Sequence, residues 1–287
     1  MTAVATPTPA LLARREASPA LTRPLSALAT LSRRRFSLSA HTPREVLVPL
    51  LTPILFADVI APALAKTMGT FGGLDYLSYV AIGTVGLLVP LSCILGGIAM
   101  IVDRQSGAQR DLLAAPIPRS TLVLGNLSVA VVISTLQVVA LIGAALARGA
   151  TFDTSISGVL WFVFATVSLA VAMHAVAETL ASRIPKQEEY VGVGPAVALV
   201  PWFFAGSFFR ISAMPAGLTA FAKVLPVTHA LAVMRYAMVD RKAAGLRDIW
   251  GMSNPTVMAA LSMLVVVAFA AVMLTVSMRV FAKASSS

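Results

Sequence analysis

The stretch DRQSGAQRDLLAAPIPRSTLVLGN, residues 103–126, lies between two of the most hydrophobic runs of the chain. Its five charged residues are Asp103, Arg104, Arg110, Asp111 and Arg119. A short helix is predicted to start at Ser106 or Gly107 and to end before Pro116 and Pro118, because proline interrupts helical hydrogen bonding. The pattern therefore indicates a polar hairpin that connects two apolar helices.

The apolar residues of this hairpin, Leu112, Leu113 and Ile117, give the short helix an amphipathic character. Such a helix would lie parallel to the membrane and offer these side chains to a partner. The residues alone leave two explanations open, a docking surface or an ordinary solvated loop.

The composition sets the class of protein. Of the 287 residues, 58% are hydrophobic and 12% are charged, with a mean hydropathy of +0.87. This is too apolar for the wetted surface of a soluble domain and indicates a polytopic membrane protein. The net charge of +10 is spread over loop ends, which favours headgroup anchoring over binding of nucleic acid.

Six segments are long enough to cross a bilayer core, which needs about 20 apolar residues. They are residues 46–65, 79–102, 121–147, 156–181, 190–209 and 255–280. With both termini in the cytoplasm, fourteen of the 22 Lys and Arg residues lie on the cytoplasmic side and eight lie outside. The sequence thus predicts an all-α membrane protein with six transmembrane helices.

The predicted organisation is a disordered cytoplasmic tail over 1–24, an interfacial helix over 25–45, a transmembrane domain over 46–280 and a cytoplasmic tail over 281–287. Within the transmembrane domain, residues 103–120 form a cytoplasmic hairpin and residues 210–254 form an external segment. Arginines interspersed with apolar residues, as at Arg33, Arg34 and Arg35, are typical of a helix at headgroup level. No cleaved leader is expected, because Arg14 and Arg15 interrupt the first apolar run.

The external segment contains LPVTHALAVMRYAMVD, residues 225–240. Lys223, His229 and Arg235 would be costly at the middle of a bilayer, so this segment is predicted to be re-entrant or interfacial. Helical spacing puts Leu231, Met234 and Met238 on one face and leaves His229 and Arg235 to the other.

Three ionisable residues inside the predicted spans are candidates for function, namely Asp58, His174 and Glu178. His174 and Glu178 share a helical face, either as a polar pair that holds helices together or as part of a substrate or proton path. Asp58 is predicted to pair with Lys66 or to snorkel. No metal site is expected, because a site needs three or four ligands, and the lone Cys93 has no partner.

Several catalytic motifs are absent. Without a GxxxxGK[ST] phosphate loop the chain cannot hydrolyse ATP by that route, so energy would have to come from a partner. The absence of HExxH, GxSxG and DDxxD counts against a protease, an esterase and a prenyl transferase. The chain is predicted to be non-enzymatic and to hold no cofactor.

The hairpin resembles the cytoplasmic loop of ABC type 2 permeases, such as the membrane subunit of the daunorubicin/doxorubicin resistance exporter. The matching residues are Asp103, where the family usually has Glu, followed by Arg104, Gly107, Arg110, Leu112, Leu113, Pro116 and Arg119. A second similarity lies before the last span, at Pro226, His229 and Arg235, and a third is the Pro-Ile-Leu-Phe run at 53–56.

The resemblance implies that the hairpin carries a coupling helix, which docks on a separate ATPase subunit that binds ATP and Mg. It also implies a homodimer or a second permease subunit, and export of a hydrophobic compound (a drug, an antibiotic or a lipid) across a bacterial cell membrane, as in multidrug efflux and antibiotic resistance.

Two alternatives remain. One is a proton-coupled secondary transporter that works through His174, Glu178 and Asp58, although no internal repeat of the kind common in such folds is visible. The other is a membrane-embedded acyl or glycosyl transferase, which would need a cluster of polar catalytic residues.

Overall fold

The computed structural model describes residues 24–41, 74–114 and 118–284, and isolated positions between 51 and 71. The helices are α1 Pro24–His41, α2 Tyr76–Gly96, α3 Ile98–Gln105, α4 Ala108–Ala114, α5 Arg119–Ala147, α6 Ile156–Arg183, α7 Gln187–Phe204, α8 Ala216–Val224, α9 Pro226–Met238, α10 Ala244–Trp250 and α11 Pro255–Ala284. Strands β1 Thr70–Phe71 and β2 Leu74–Asp75 form an antiparallel ladder. Most of the first predicted span, including Asp58, lies outside the described residues.

Side-chain caps fix where several helices begin. Asp75 accepts hydrogen bonds from the backbone N–H groups of Leu77 and Ser78 at the start of α2. Ser155 accepts one from Gly158 at the start of α6, and the Asn254 side chain accepts two in the first turn of α11. Each cap satisfies donors that have no partner inside the helix.

Four helices of the described chain are long and apolar enough to cross a membrane: α2 together with α3, α5, α6 and α11. Helices α8 and α9 meet at 83° and would make a fifth if they are one broken span. Helix α7 covers most of the fifth predicted span but has 18 residues, with Glu188 and Glu189 in its first turn. The structure thus confirms a predominantly helical chain with helices that could span a membrane, whereas the count of six spans and the interfacial and re-entrant placements stay predictions.

Helix α2 lies at the centre of the bundle and packs against α5, α6, α7 and α9. In its most apolar window 61% of the residues are buried, against 33% in α5 and α11. Gly83 and Gly86 permit this packing, because a Cβ would collide with the Ser207 carbonyl at Gly83 and lie 2.7 Å from the Leu231 side chain at Gly86. Helices α5 and α11 therefore keep most of their surface for lipid or for another subunit.

The burial of helix α9 differs from what its sequence predicts. Eleven of its 13 residues are buried, including His229 and Arg235. The polar face expected on this helix is wrong, because α9 packs against α6, α11 and α2 and has no side open to water. His229 and the two terminal nitrogens of Arg235 have hydrogen-bond partners inside the protein, whereas the Thr228 hydroxyl and Nε of Arg235 have none among the described residues.

Helix α1 and the C-terminal part of α11 lie at the same end of the bundle. A helix is present in the segment predicted to be interfacial, as α1, which lies along α5, with Leu31 against Gly125 and the Ser32 and Ser128 hydroxyls 2.7 Å apart. Its position at the membrane surface stays a prediction. Helix α11 continues through the buried Phe281 to Ala284, so the predicted tail over 281–287 begins later than expected.

Candidate functional site

The described residues between α3 and α5 include the short helix that the sequence predicts. Gly107 has a φ of +82°, a backbone conformation that favours glycine, and α4 begins at the next residue. Asp111 lies in the first turn of α4. Pro116 lies outside the described residues, and α5 begins at Arg119, close to the predicted start of the span.

Asp103 joins the hairpin to helix α1. Its carboxylate accepts a hydrogen bond from Arg35 at 3.0 Å and lies 3.7 Å from the guanidinium of Arg34. Arg35 is buried, so this contact is shielded from solvent more than an ordinary surface pair. Asp103 was predicted to contact a partner, and in the structure it fixes the position of α1 relative to the hairpin.

Arg104 caps the C-terminus of α6. Its guanidinium donates to the carbonyls of Ala181 at 3.0 Å, Ile184 at 2.6 Å and Pro185 at 3.3 Å. The last carbonyls of a helix have no partner within it, and a cation there also interacts favourably with the helix dipole. Arg104 is thus bound within the chain.

We expect Arg104→Ala to lower the free energy of unfolding by about 2 kcal/mol, because it removes charge-assisted hydrogen bonds from a helix end. Thermal unfolding of the full chain in detergent measures this. The matched control is Arg183→Ala, which removes an exposed arginine from the last turn of the same helix. Equal stability of the two variants would contradict the capping role.

Arg119 connects the other end of the hairpin to α11. It donates to the carbonyl of Ala282 at 2.8 Å, in the last turn of that helix. The flanks of α4 therefore bond to α1, α6 and α11 through three separate side chains. A displacement of the hairpin would be transmitted to all three helices.

Leu112 and Leu113 are less exposed than the prediction of a docking surface requires. Both are half-buried and pack against the cluster formed by Leu122, Val123 and Phe281. Their contacts within the chain leave only part of each side chain for a partner. The exposed residues of the short helix are Arg110, Asp111 and Ala114.

His174 and Glu178 lie together as predicted, with Nε2 and Oε1 3.5 Å apart and both side chains buried. Glu178 also accepts a hydrogen bond from Ser277 of α11 at 2.7 Å. The contact with Ser277 joins α6 to α11, as a polar pair that holds helices together would do. A cavity of about 50 Å³ beside His174 has room for a water molecule.

His229 belongs to a hydrogen-bonded chain at the opposite end of the bundle. Its Nε2 lies 2.9 Å from the carbonyl of Lys223, and its Nδ1 lies 3.2 Å from the hydroxyl of Ser262. Trp250 donates to the same hydroxyl at 2.8 Å. A neutral imidazole with its proton on Nε2 satisfies every partner, so His229 ties α9 and α10 to α11. Pro226 occupies the first turn of α9, where its missing N–H costs nothing.

Arg235 is buried beneath the same end. It donates to the carbonyls of Gly206 and Ser207, each at 2.8 Å, and to that of Tyr79 at 3.4 Å. Its guanidinium carbon lies 3.6 Å from the centre of the Tyr79 ring, a cation–π contact. The motif residue Arg235 therefore joins α9 to the end of α7 and to α2.

Sequence reasoning did not find two ion pairs at this end of the bundle, one partly buried and one exposed. Asp248 forms a two-point contact with Arg210 and also accepts from Ser212. Arg241 donates to Asp153 at 2.5 Å and holds the pKa of that carboxyl well below its usual range. The partners are 38 and 88 residues apart, so no local spacing signals either pair.

No group of three or more potential metal ligands exists among the described residues. What the structure does assemble is a polar hairpin connected to several helices.

Comparison with known proteins gives one family. A model described as ABC-2 type transporter matches residues 26–239, which is more than half of the chain. The match includes the hairpin, the His174–Glu178 pair and the motif in α9. Comparison with curated proteins finds no significant match.

Proposed function

The chain belongs to the ABC-2 type transporter family, as the permease component of an ABC transporter, and from that premise we propose that it exports a hydrophobic compound. The cargo would be a drug, an antibiotic or a lipid. The chain would work as a homodimer or with a second permease subunit, in the cell membrane of a bacterium. Both termini and the hairpin would face the cytoplasm.

The observation that carries this proposal is the set of contacts around α4. Asp103 bonds to α1, Arg104 to the end of α6 and Arg119 to the end of α11. A partner ATPase that binds ATP and Mg would dock on α4 and push or pull it as nucleotide binds. The three contacts would pass that movement to helices that surround the centre of the bundle.

Helix α4 offers a small charged surface to this partner. Arg110 and Asp111 are exposed and neighbouring. Leu112 and Leu113 contribute an apolar edge from their half-buried positions. A charged rim beside an apolar contact suits an interface that must release and re-form during each cycle.

The buried His174–Glu178 pair favours the alternative, a transporter driven by protons. A transport assay in inside-out vesicles distinguishes ATP-driven export from proton-driven transport. We expect doxorubicin uptake that requires ATP and the ATPase subunit and persists with a protonophore. Uptake that needs no ATP and stops with the protonophore would contradict ATP-driven export.

Glu178→Gln provides a second readout in the same vesicles. The amide keeps an oxygen for the Ser277 hydroxyl but cannot carry a proton through the membrane. ATP-driven export is expected to survive this substitution, with a change of less than about twofold, because the bond between α6 and α11 remains. Complete loss of uptake by a folded variant would favour the proton path.

A further inference from the structure

A cavity of about 360 Å³ opens where α1, α4 and the ends of α3, α5, α6 and α11 meet. This volume lies within the range of pockets that hold small ligands. In the proposed orientation it lies at the headgroup level of the cytoplasmic leaflet, beside the hairpin.

The charged lining of this cavity is predominantly basic. Four arginines, Arg34, Arg35, Arg104 and Arg110, surround the single carboxylate of Asp103, which leaves three net positive charges among the described lining residues. The bonds of Arg104 to carbonyls use its donors but do not neutralise its charge.

Two of these arginines have capacity for a ligand. The side chain of Arg34 is 37% exposed and meets Asp103 only at 3.7 Å. Arg110 is exposed, and neither an ion pair nor a hydrogen bond of its side chain is found among the described residues. Guanidinium groups bind phosphate oxygens through two parallel hydrogen bonds, so this pair suits a phosphate-bearing anion.

The rest of the wall is apolar. Leu31, Leu122 and Phe281 line the cavity together with the half-buried leucines of α4. A free phosphate or a soluble sugar phosphate would gain nothing from these side chains. A ligand with an anionic headgroup and acyl chains would contact both parts of the wall.

We propose that this cavity binds an anionic phospholipid of the membrane, with its phosphate between Arg34 and Arg110 and an acyl chain along Leu31, Leu122 and Phe281. The inference rests on the proposed placement of this end of the bundle at the membrane surface. A lipid bound here touches both α1 and α4, so it would stiffen the connection between the interfacial helix and the hairpin.

Native mass spectrometry of the purified full chain, without any ATPase, tests the proposal. The chain is mixed with phosphatidylglycerol or with phosphatidylcholine of the same acyl chains. We expect one retained phosphatidylglycerol per chain and little phosphatidylcholine. Arg34→Gln with Arg110→Gln should weaken retention about 25-fold, since each basic residue near an anionic headgroup contributes about fivefold.

The matched control is Arg33→Gln with Lys186→Gln. It removes two exposed positive charges from the same end of the bundle, and neither residue lines the cavity. Retention should equal that of the unmodified chain. If this control loses as much lipid as the cavity variant, general surface charge explains the binding and the proposal is wrong.

If the double variant is unstable, Arg110→Gln alone replaces it in the test. Arg110 is exposed, so this single substitution should not disturb folding. It should weaken retention about fivefold. Unchanged retention would overturn the proposal. So would displacement of the lipid by millimolar glycerol 3-phosphate, since a soluble phosphate would then be the ligand. The ATPase is absent throughout, so these outcomes are independent of ATP-driven export.

Discussion

Arg235→Ala is expected to prevent stable folding of the end of the bundle that lies opposite the hairpin. The substitution removes the guanidinium donor from the Ser207 carbonyl and one of the two side-chain donors from the Gly206 carbonyl, and it opens a cavity beneath the Tyr79 ring. The two lost charge-assisted hydrogen bonds to Gly206 and Ser207 cost about 1.5 to 3 kcal/mol each, so the free energy of unfolding should fall by about 3 to 6 kcal/mol. That is a large part of the total stability of most proteins.

The measurement is thermal unfolding of the purified full chain, together with its yield in the membrane. Arg235→Lys should recover little, because one ammonium cannot reproduce a planar guanidinium that serves separate carbonyls. The matched control is Lys242→Ala, an exposed cation a few residues away, which should change stability by less than about 0.5 kcal/mol. Normal yield and stability of Arg235→Ala would contradict the structural role.

Reversal of the two exposed charges of α4, with Arg110→Glu and Asp111→Arg, is expected to abolish co-purification with the ATPase subunit. The double change keeps the net charge and touches residues that face solvent, so the chain should fold and reach the membrane at normal levels. Like charges brought together at an interface cost several kcal/mol, which is enough to remove a transient contact.

The control for this reversal is Lys186→Glu with Glu189→Lys. These residues form an exposed pair 3.9 Å apart at the same end of the bundle, outside the hairpin. Association should survive their exchange. Arg34→Gln alone should also keep the ATPase, which separates docking from lipid binding. A hairpin variant that binds as well as the control would place the docking surface elsewhere.

Substitution of Leu112 and Leu113 by Asp is a less selective experiment. Both side chains pack within the chain against Leu122 and Phe281. Two buried carboxylates there would loosen the hairpin and the end of α11, whether or not a partner docks. Loss of transport in that variant would not distinguish docking from folding.

Local patterns predicted the elements well. The prolines, Gly107 and the apolar run that begins near Thr121 gave a short helix followed by a long one, and the structure has both. Apolar length alone gave the positions of α5, α6 and α11 within a few residues. These features are determined by residues that are close together in the chain, so a single sequence is enough to predict them.

The contacts of the charged residues could not be predicted in the same way. Asp103 meets Arg35 across 68 residues, and Arg104 reaches the end of α6 across about 80. Because these partners are far apart in the chain, no helical or strand spacing links them. The hairpin residues therefore gave the impression of a surface that is free for a partner, although several are bound within the chain.

The prediction of a polar face on α9 was wrong for a related reason. His229 and Arg235 were assigned to a polar face by helical spacing, and the segment was predicted to be re-entrant or interfacial because charged groups in apolar surroundings are costly. The structure satisfies them with the Lys223, Gly206 and Ser207 carbonyls, which a pattern of side chains does not reveal.

Cross-linking from position 111 tests the central claim, that α4 docks the ATPase. In a Cys93→Ala background, Asp111→Cys and Ser212→Cys each carry a single thiol-reactive photo-cross-linker, at the two opposite ends of the bundle. We expect an adduct between the chain and the ATPase from position 111 and none from position 212. An adduct from position 212, or none from position 111 in a complex that hydrolyses ATP, would contradict it.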